Sequence, residues 1–164
     1  TIALGRWGAA FIRKNLLHNI FRLPIIIRFG KHRFPVEAMV DTGNQLKDPI
    51  SRKPVIIVEY EVLKKVLPEK VCAVFEDHQE PDLEKLVSLL ANSPLAARIH
   101  LIPFTSIGRS RGMLLGLRPD EVIVVTNERP IKLKGVIMGI YQKRLSAEGS
   151  YRALLHPEVL QSAF

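Results

Sequence analysis

The sequence predicts one mainly β domain with short helices, arranged as a single lobe around a small closed β-barrel. Short apolar and β-branched runs recur along the chain, and turn-forming residues separate them at the spacing of small β-barrels. A length of 164 residues suits one domain with a substantial core. The single cysteine, Cys72, excludes an internal disulfide and a cysteine-rich metal site, and it favours a reducing compartment.

The net charge of +8 is concentrated at one end of the chain. Residues 1–33 carry seven basic side chains and no acid, which accounts for +7 of that total. Positions 11, 12, 16, 17, 20 and 21 are apolar at helical spacing, so we expect residues 1–23 to be a linker with a basic amphipathic, juxtamembrane helix. Packing on the domain and lying on a membrane fit this helix equally. Because there is no initiator Met, signal peptide or membrane-spanning run, we expect a soluble fragment of a longer protein.

Periodicity and turn signals then predict the elements of the domain, residues 24–164. Pro24 ends the linker helix, and β-branched residues favour a strand directly after it. Asp82 fits the N-cap of a later helix, because leucines follow it at helical spacing. The predicted strands are Ile25–Phe29, Arg33–Val40, Val55–Val58, Arg98–Phe104, Met113–Leu117, Glu121–Thr126 and Ile131–Met138; the predicted helices are Glu59–Val66 and Leu83–Ala91; and Val71–Phe75 is a short strand or an irregular segment.

One carboxylate, that of Asp41, lies at the end of an apolar run, where burying its charge costs free energy. It follows the apolar run Ala38-Met39-Val40, where the second arm of a hairpin breaks into a turn. Burial disfavours a charged carboxylate unless hydrogen bonds or a shared proton stabilise it. Thr42 supplies a hydroxyl donor and acceptor, and Gly43 permits close backbone approach. Taken alone, Asp-Thr-Gly favours a strand-ending turn over a catalytic loop.

Other chemistry has weaker support in the sequence. The five histidines show no metal-ligand spacing, so neither a metal nor a cofactor is predicted. Ser106 and Ser110 lie near His100 but lack a nucleophile-elbow pattern, which favours a polar loop over a hydrolytic triad. Of the remaining acids, Asp48 is expected to be structural and Asp120 to be solvated.

Three features in sequence order resemble the subunit of the retroviral-type aspartic proteases. They are the hairpin ending in Asp41-Thr42-Gly43, the glycine-bearing loop of residues 105–112, and the apolar strand that stops at Ile137-Met138-Gly139. The resemblance covers residues 25–145 and implies the acid protease fold, a retropepsin-like closed β-barrel. It also implies that the apolar-glycine segment lies beside the Asp-Thr-Gly loop, and that the intervening hairpin forms a flap over the substrate. The flap would carry Ser106, Ile107, Gly108 and Arg109.

The loop after Asp41 gives a closer match. The stretch Asp41-Thr42-Gly43-Asn44-Gln45-Leu46-Lys47-Asp48-Pro49, continuing to Lys53-Pro54-Val55, is similar to the sporulation sigma-E factor-processing peptidases of spore-forming bacteria, and so is Ala153-Leu154-Leu155-His156-Pro157. The resemblance implies a multi-pass membrane domain joined to this one by the basic linker. It further implies removal of the N-terminal pro-segment of an inactive sigma factor, at the cytoplasmic face of the mother-cell membrane. Asn44 agrees with this group, whereas retroviral proteases commonly have alanine there.

The implied chemistry needs two carboxylates, and the chain offers one such motif. One carboxylate deprotonates the attacking water while the other protonates the carbonyl oxygen, and two carboxylates so close together share one proton. A single lobe must therefore pair its Asp41 with Asp41 of a second copy across a two-fold axis. In this interpretation Asp41 is catalytic, and Thr42, Gly43 and Asn44 support the active-site loop. Arg109 fits a substrate contact and a solvated position equally.

Two other functions stay open at this point. A β-barrel can bind a peptide without cleaving it, with Asp-Thr-Gly as a plain turn. A basic domain can bind nucleic acid, but here the charge is confined to one end, and Trp7, Phe11 and Phe21 do not interleave with the basic residues. The sequence therefore favours a homodimeric protease that acts on a protein and has no direct nucleic-acid partner.

Overall fold

A computed structural model describes residues 22–44, 46–77, 79–106 and 109–161, of which residues 105, 106, 109–111 and 161 are described by backbone alone. The linker helix predicted before the domain lies outside the described residues, except that Arg22 begins the first strand. The strands are β1 (Arg22–Phe29), β2 (His32–Val40), β3 (Val55–Glu59), β4 (Ile99–Ser106), β5 (Arg109–Leu117), β6 (Glu121–Val124), β7 (Ile131–Leu133), β8 (Ile137–Tyr141) and β9 (Ala153–Leu155).

The nine strands form one sheet in the order β4-β5-β8-β3-β9-β2-β1-β6-β7. The mainly β class is therefore confirmed, but the closed barrel is wrong, because the two edge strands β4 and β7 do not pair with each other within the described residues. Turn spacing locates where strands begin and end. Closure depends instead on which distant strands pair, and local patterning carries little of that information.

In the part of the chain that the structure describes, the sheet is accompanied by the short α-helices α1 (Tyr60–Leu63), α2 (Glu69–Glu76), α3 (Leu83–Ala91) and α4 (Pro157–Gln161), and by 3-10 turns at Lys64–Val66 and Ala96–Arg98. The N-cap of α3 is as predicted, since the Lys85 amide donates to Asp82 Oδ1 at 3.2 Å. No helix in the described part of the chain is long and apolar enough to cross a membrane.

Two predicted segments are corrected by the structure, the first of which was expected to be a short strand or irregular. Val71–Phe75 lies within α2, where Val71, Cys72 and Phe75 are buried against the core at helical spacing. The run Ile131–Met138 is divided between β7 and β8, because Gly135 adopts a φ of 73° that breaks the extended chain. Apolar continuity alone did not reveal that break.

The β1–β2 hairpin agrees with the prediction and leads directly to Asp41. Its turn contains Gly30, with a φ of 57°, and Ile25 pairs with Val36 across the hairpin. Alternate residues of β1 are buried, which places Ile25 and Ile27 in the main core. Pro24 lies inside β1 rather than at a helix end.

Asp120 links the hairpin turn to the other half of the sheet. Its carboxylate accepts hydrogen bonds from the Gly30 amide and the Arg98 guanidinium, and Arg28 lies 3.6 Å away. The Gly30 amide, with Arg98 and Arg28, holds the pKa of Asp120 below its ordinary value. Asp120, which was expected to be solvated, is partly exposed and also ion-paired, and its side chain joins Arg98, directly before β4, to the β1–β2 turn.

Candidate active site

Asp41 stands at the end of β2, beside the short strand β9. β2 and β9 are parallel, with Val40 opposite Leu155, and the Asp41 amide donates to the Leu155 carbonyl at 2.8 Å. β9 is also paired with β3, so it lies in the middle of the sheet with strands on both sides. The backbone at Asp41 is thus fixed by its neighbour strand up to the residue where the chain turns.

The Asp41 carboxylate is held by its own loop. The Gly43 amide donates to Asp41 Oδ1 at 2.9 Å, and the Asn44 amide donates to the Asp41 carbonyl at 3.3 Å. A Cβ at Gly43 would lie 3.2 Å from Asp41 Oδ1. The absence of a side chain therefore leaves the carboxylate room to approach the amide closely.

The tip of the loop is open to solvent in the single chain. Thr42 and Gly43 are exposed and Asp41 is partly buried, whereas Asn44 is 6% exposed. The loop consequently presents a fixed carboxylate on a surface that a peptide or a second protein can reach. Within one chain the structure brings no second carboxylate into hydrogen-bonding contact with Asp41 among the described residues.

Asn44 anchors the loop to the sheet. Its side-chain amide donates to the Val55 carbonyl at 3.1 Å, and its Oδ1 accepts from the Leu46 amide at 3.3 Å. The Leu46 carbonyl in turn accepts from the Val55 amide at 3.0 Å. These bonds satisfy a buried amide side chain and fix the exit of the loop against the start of β3. Asn44 thus ties the loop after Asp41 to the sheet.

Asp48 organises the rest of the loop from a buried position. Its carboxylate accepts from both the amide and the hydroxyl of Ser51, at 2.8 and 2.7 Å, and from Nδ1 of His100 at 3.2 Å. Burial raises the pKa of Asp48, but the hydrogen bonds from Ser51 and His100 outweigh it and hold the pKa below its ordinary value. The structural role predicted for Asp48 agrees with these contacts. In a catalytic triad the serine hydroxyl bonds to the histidine ring. Here the Ser51 hydroxyl bonds to the Asp48 carboxylate instead, so Ser51, His100 and Asp48 do not form such a triad.

The apolar-glycine segment Ile137-Met138-Gly139 is not the neighbour of Asp41. It lies in β8, and the two strands β3 and β9 separate it from β2. The apolar segment beside the loop is Ala153–Leu155, which is followed directly by α4. Gly139 instead packs closely within the sheet, since a Cβ there would lie 3.3 Å from Leu114. An apolar run followed by Pro157 was the sequence signal for β9, but three residues are too short to stand out as a strand.

The hairpin expected to form a flap is a β4–β5 ribbon that is longer than predicted. Ser106 pairs with Arg109 at its end, and Ile107 and Gly108 lie outside the described residues. The strands thus extend into the predicted loop of residues 105–112. Gly112 lies within β5 and leaves space for the Phe104 ring, which a Cβ there would approach to 2.5 Å. The close packing across the hairpin therefore accounts for a glycine at position 112.

Comparisons with known proteins agree on one family. A family model described as "Sporulation factor SpoIIGA" matches residues 1–159. Proteins named sporulation sigma-E factor-processing peptidase are 30% identical over 134 residues in Priestia megaterium and 29% identical over 139 residues in Bacillus subtilis. A putative sporulation sigma factor-processing peptidase of Bacillus thuringiensis subsp. kurstaki is 29% identical over 140 residues.

These alignments cover the chain and its relatives unequally. They include 82% and 85% of this chain in the first two cases, but only 42% and 44% of the Priestia and Bacillus subtilis proteins. The Bacillus thuringiensis alignment covers 83% of this chain and 82% of that protein. No solved structure matches the chain.

Proposed function

The chain belongs to the family described as sporulation factor SpoIIGA, which is a peptidase family, and from this premise we propose that it is an aspartic endopeptidase that cleaves the N-terminal pro-segment from a sporulation sigma factor. The names of the curated relatives support the substrate class, because they are called sigma-E factor-processing or sigma factor-processing peptidases. The proposed catalytic group is Asp41.

The observation that carries the proposal is the placement of the Asp41 carboxylate. It is held by the Gly43 amide at 2.9 Å, on a loop that leaves Thr42 and Gly43 exposed. A carboxylate with a fixed orientation and open access is what general acid–base chemistry on a peptide requires. Asp48 does not meet this requirement, because its side chain is 1% exposed and its oxygens are already bonded.

The second carboxylate is proposed to be Asp41 of another copy of the chain. Two such loops facing each other across a two-fold axis would place two carboxylates together, and like charges so close would share one proton. The charged Asp41 takes a proton from water, whose oxygen bonds to the peptide carbonyl carbon. The protonated Asp41 gives its proton to the carbonyl oxygen, which leaves a diol intermediate. The carboxyl group that took the proton from water then protonates the nitrogen, the C–N bond breaks, and one hydroxyl of the diol returns its proton to the other carboxylate, so that the amine and the acid leave and the pair again holds one proton. Thr42, the residue next to each carboxylate, is proposed to join the two loops.

The cellular setting is part of the proposal. Residues 1–23 are proposed to connect this domain to a membrane domain, with the protease at the cytoplasmic face of the mother-cell membrane. The basic residues of that segment, Arg6, Arg13, Lys14 and Arg22, stand without any acid and support this, since anionic lipids attract cations next to a membrane. The same segment would raise the local concentration of a partner copy by confining both to one surface.

Replacing the proposed catalytic group is the direct test. Asp41→Asn keeps the shape of the side chain but removes its charge, so cleavage of a co-expressed pro-sigma factor by the complete protein should disappear; Asp41→Ala should behave alike. Asp77→Asn is the matched control, because Asp77 is exposed and makes its described hydrogen bonds through its backbone. Immunoblotting follows the size of the sigma factor, and sequencing its new N-terminus locates the cut. Cleavage that persists in folded Asp41→Asn protein would refute the proposal.

A mixing experiment tests the shared site. When wild-type and Asp41→Asn chains are expressed in equal amounts and pair at random, about one quarter of the dimers contain two wild-type chains. Activity should therefore fall to about one quarter of that of the same total amount of wild-type chains. A fall to about one half is the result expected if each chain acts alone, and it would exclude a site built from two copies.

A further inference from the structure

Asp48 uses its two carboxylate oxygens on two different elements. Oδ2 accepts from the amide and the hydroxyl of Ser51, inside the loop that follows Asp41. Oδ1 accepts from Nδ1 of His100, in β4 of the long hairpin. The Asp48 side chain is 1% exposed and that of His100 is 18% exposed, so water competes weakly for these bonds. One buried carboxylate thus joins the loop to the hairpin.

His100 lies at the base of the hairpin, where the hairpin is closely packed on the sheet. Its partner in β5 is Gly116, and a Cβ there would lie 3.2 Å from the Cβ of His100, 3.1 Å from Ile102 and 3.2 Å from Ile137. The missing side chain lets these three residues approach one another. Next to His100 on this face, Ile102 packs with Val55 and Ile137 in a small buried cluster.

The other end of the contact is tied to Asp41 through the loop. The Asp48 amide donates to the Lys53 carbonyl at 2.9 Å, which closes the loop into a compact unit. The same loop is held to β3 by the side-chain amide of Asn44, which donates to the Val55 carbonyl. The backbone amide of Asn44 donates to the Asp41 carbonyl. A shift of the hairpin base at His100 would therefore move a loop whose first residues set the direction of the catalytic carboxylate.

We propose that His100 is a positioning residue, which holds the β4–β5 hairpin and the Asp41 loop in one fixed relation through its bond to Asp48. This inference rests on the proposed function, in which Asp41 acts on a peptide, and it takes the β4–β5 hairpin to lie over that peptide, as the resemblance to the retroviral-type aspartic proteases implies. A hairpin on one side of a substrate and a carboxylate on the other must keep their separation to within a fraction of an ångström during the reaction. The Asp48–His100 bond is the polar contact, among the described residues, that spans the two elements directly.

The test separates the hydrogen bond from the bulk of the imidazole. His100→Ala removes the donor, whereas His100→Asn keeps a side-chain N–H that can donate to Asp48. His32→Ala is the control, because His32 is exposed at the β1–β2 turn. With the complete protein and a purified pro-sigma factor, His100→Ala should lower kcat by about 10- to 100-fold with a smaller change in KM. His100→Asn should retain most of kcat, and His32→Ala should match the wild type.

A second measurement needs no cleavage. The Gly43 amide donates to the Asp41 carboxylate, so its ¹H–¹⁵N NMR signal reports the geometry of the loop. His100→Ala should shift this signal, and His100→Asn should leave it near its wild-type position. The Gly149 amide, which donates to the Ser146 carbonyl in the loop before β9, should stay constant throughout.

Two outcomes would overturn the inference. One is a His100→Ala protein with the kcat and the Gly43 signal of His32→Ala; the other is a folded His100→Asn protein that restores neither quantity. Failure of the proposed function gives a different result, because Asp41→Asn would then still cleave whatever happened to the Gly43 signal. The two ideas can therefore fail separately.

Discussion

Replacing Asn44 by Asp should destabilise the protein, because Asn44 holds the candidate catalytic loop with a buried donor. The substitution preserves shape but turns the donating amide into a carboxylate oxygen. That oxygen would face the Val55 carbonyl, which in the wild type accepts a hydrogen bond from the Asn44 side chain at 3.1 Å. The acceptor contact to the Leu46 amide survives, so the change isolates the donor.

The structure allows the size of this effect to be worked out. Leaving a buried carbonyl without its donor costs about 1–3 kcal/mol. Placing a charge at a site that is 6% exposed and lacks a cation in its described contacts adds a further cost. Together these terms predict a loss of about 2–4 kcal/mol in the free energy of unfolding at neutral pH.

Urea unfolding followed by circular dichroism measures this loss, and Asn92→Asp provides the matched control. The Asn92 side-chain amide also donates to a backbone carbonyl at 3.1 Å, that of Ser88, but on the exposed end of α3. Asn92→Asp should therefore cost less than about 1 kcal/mol. Equal losses in the two variants would show that the burial of the Asn44 contact does not matter, and the anchoring argument would fail.

Two further predictions concern the same loop. Gly43→Ala should lower activity by about 10- to 100-fold with little change in melting temperature, because the new Cβ would lie 3.2 Å from Asp41 Oδ1; Gly149→Ala, at a φ of 72° in open space, should instead lower the melting temperature and spare activity. Since the folded pKa of Asp48 lies below its ordinary value of 3.8, its stabilising contribution is present above that pH and is lost as the pH falls through the folded pKa. Acid unfolding of Asp48→Asn should consequently show a weaker dependence on pH in this range than the wild type; an identical dependence would contradict the assignment.

The parts of the fold that the sequence predicted are those with local signals. The β1–β2 hairpin has alternating burial and a glycine at its turn, and its second arm ends at Asp41 as expected. The helix at Leu83–Ala91 has both leucine spacing and an Asp82 cap. In each case the information lies within one short continuous segment of the chain, so no knowledge of distant partners was needed.

The parts that the sequence did not predict depend on distant pairing. Nothing in the apolar run Ile137-Met138-Gly139 distinguishes a strand beside Asp41 from one that two other strands separate from β2. The contact between Asp48 and His100 joins residues 52 positions apart, and the residues next to each of them in sequence form no pattern that predicts it. The Asp41 loop was identified by its motif, whereas its supports at Leu155, Val55 and His100 required the folded chain.

The position of β9 makes the site depend on the synthesis of residues 153–155. β9 follows all other strands in sequence, yet it fills the centre of the sheet between β2 and β3. While a ribosome has not yet released residues 153–155, β2 and β3 each expose an unpaired edge, and the Asp41 amide lacks its partner at Leu155. The sheet must therefore keep a gap open until β9 arrives, and the bond from the Asp41 amide to Leu155 forms only at that step, whereas the anchor from Asn44 to Val55 does not need β9.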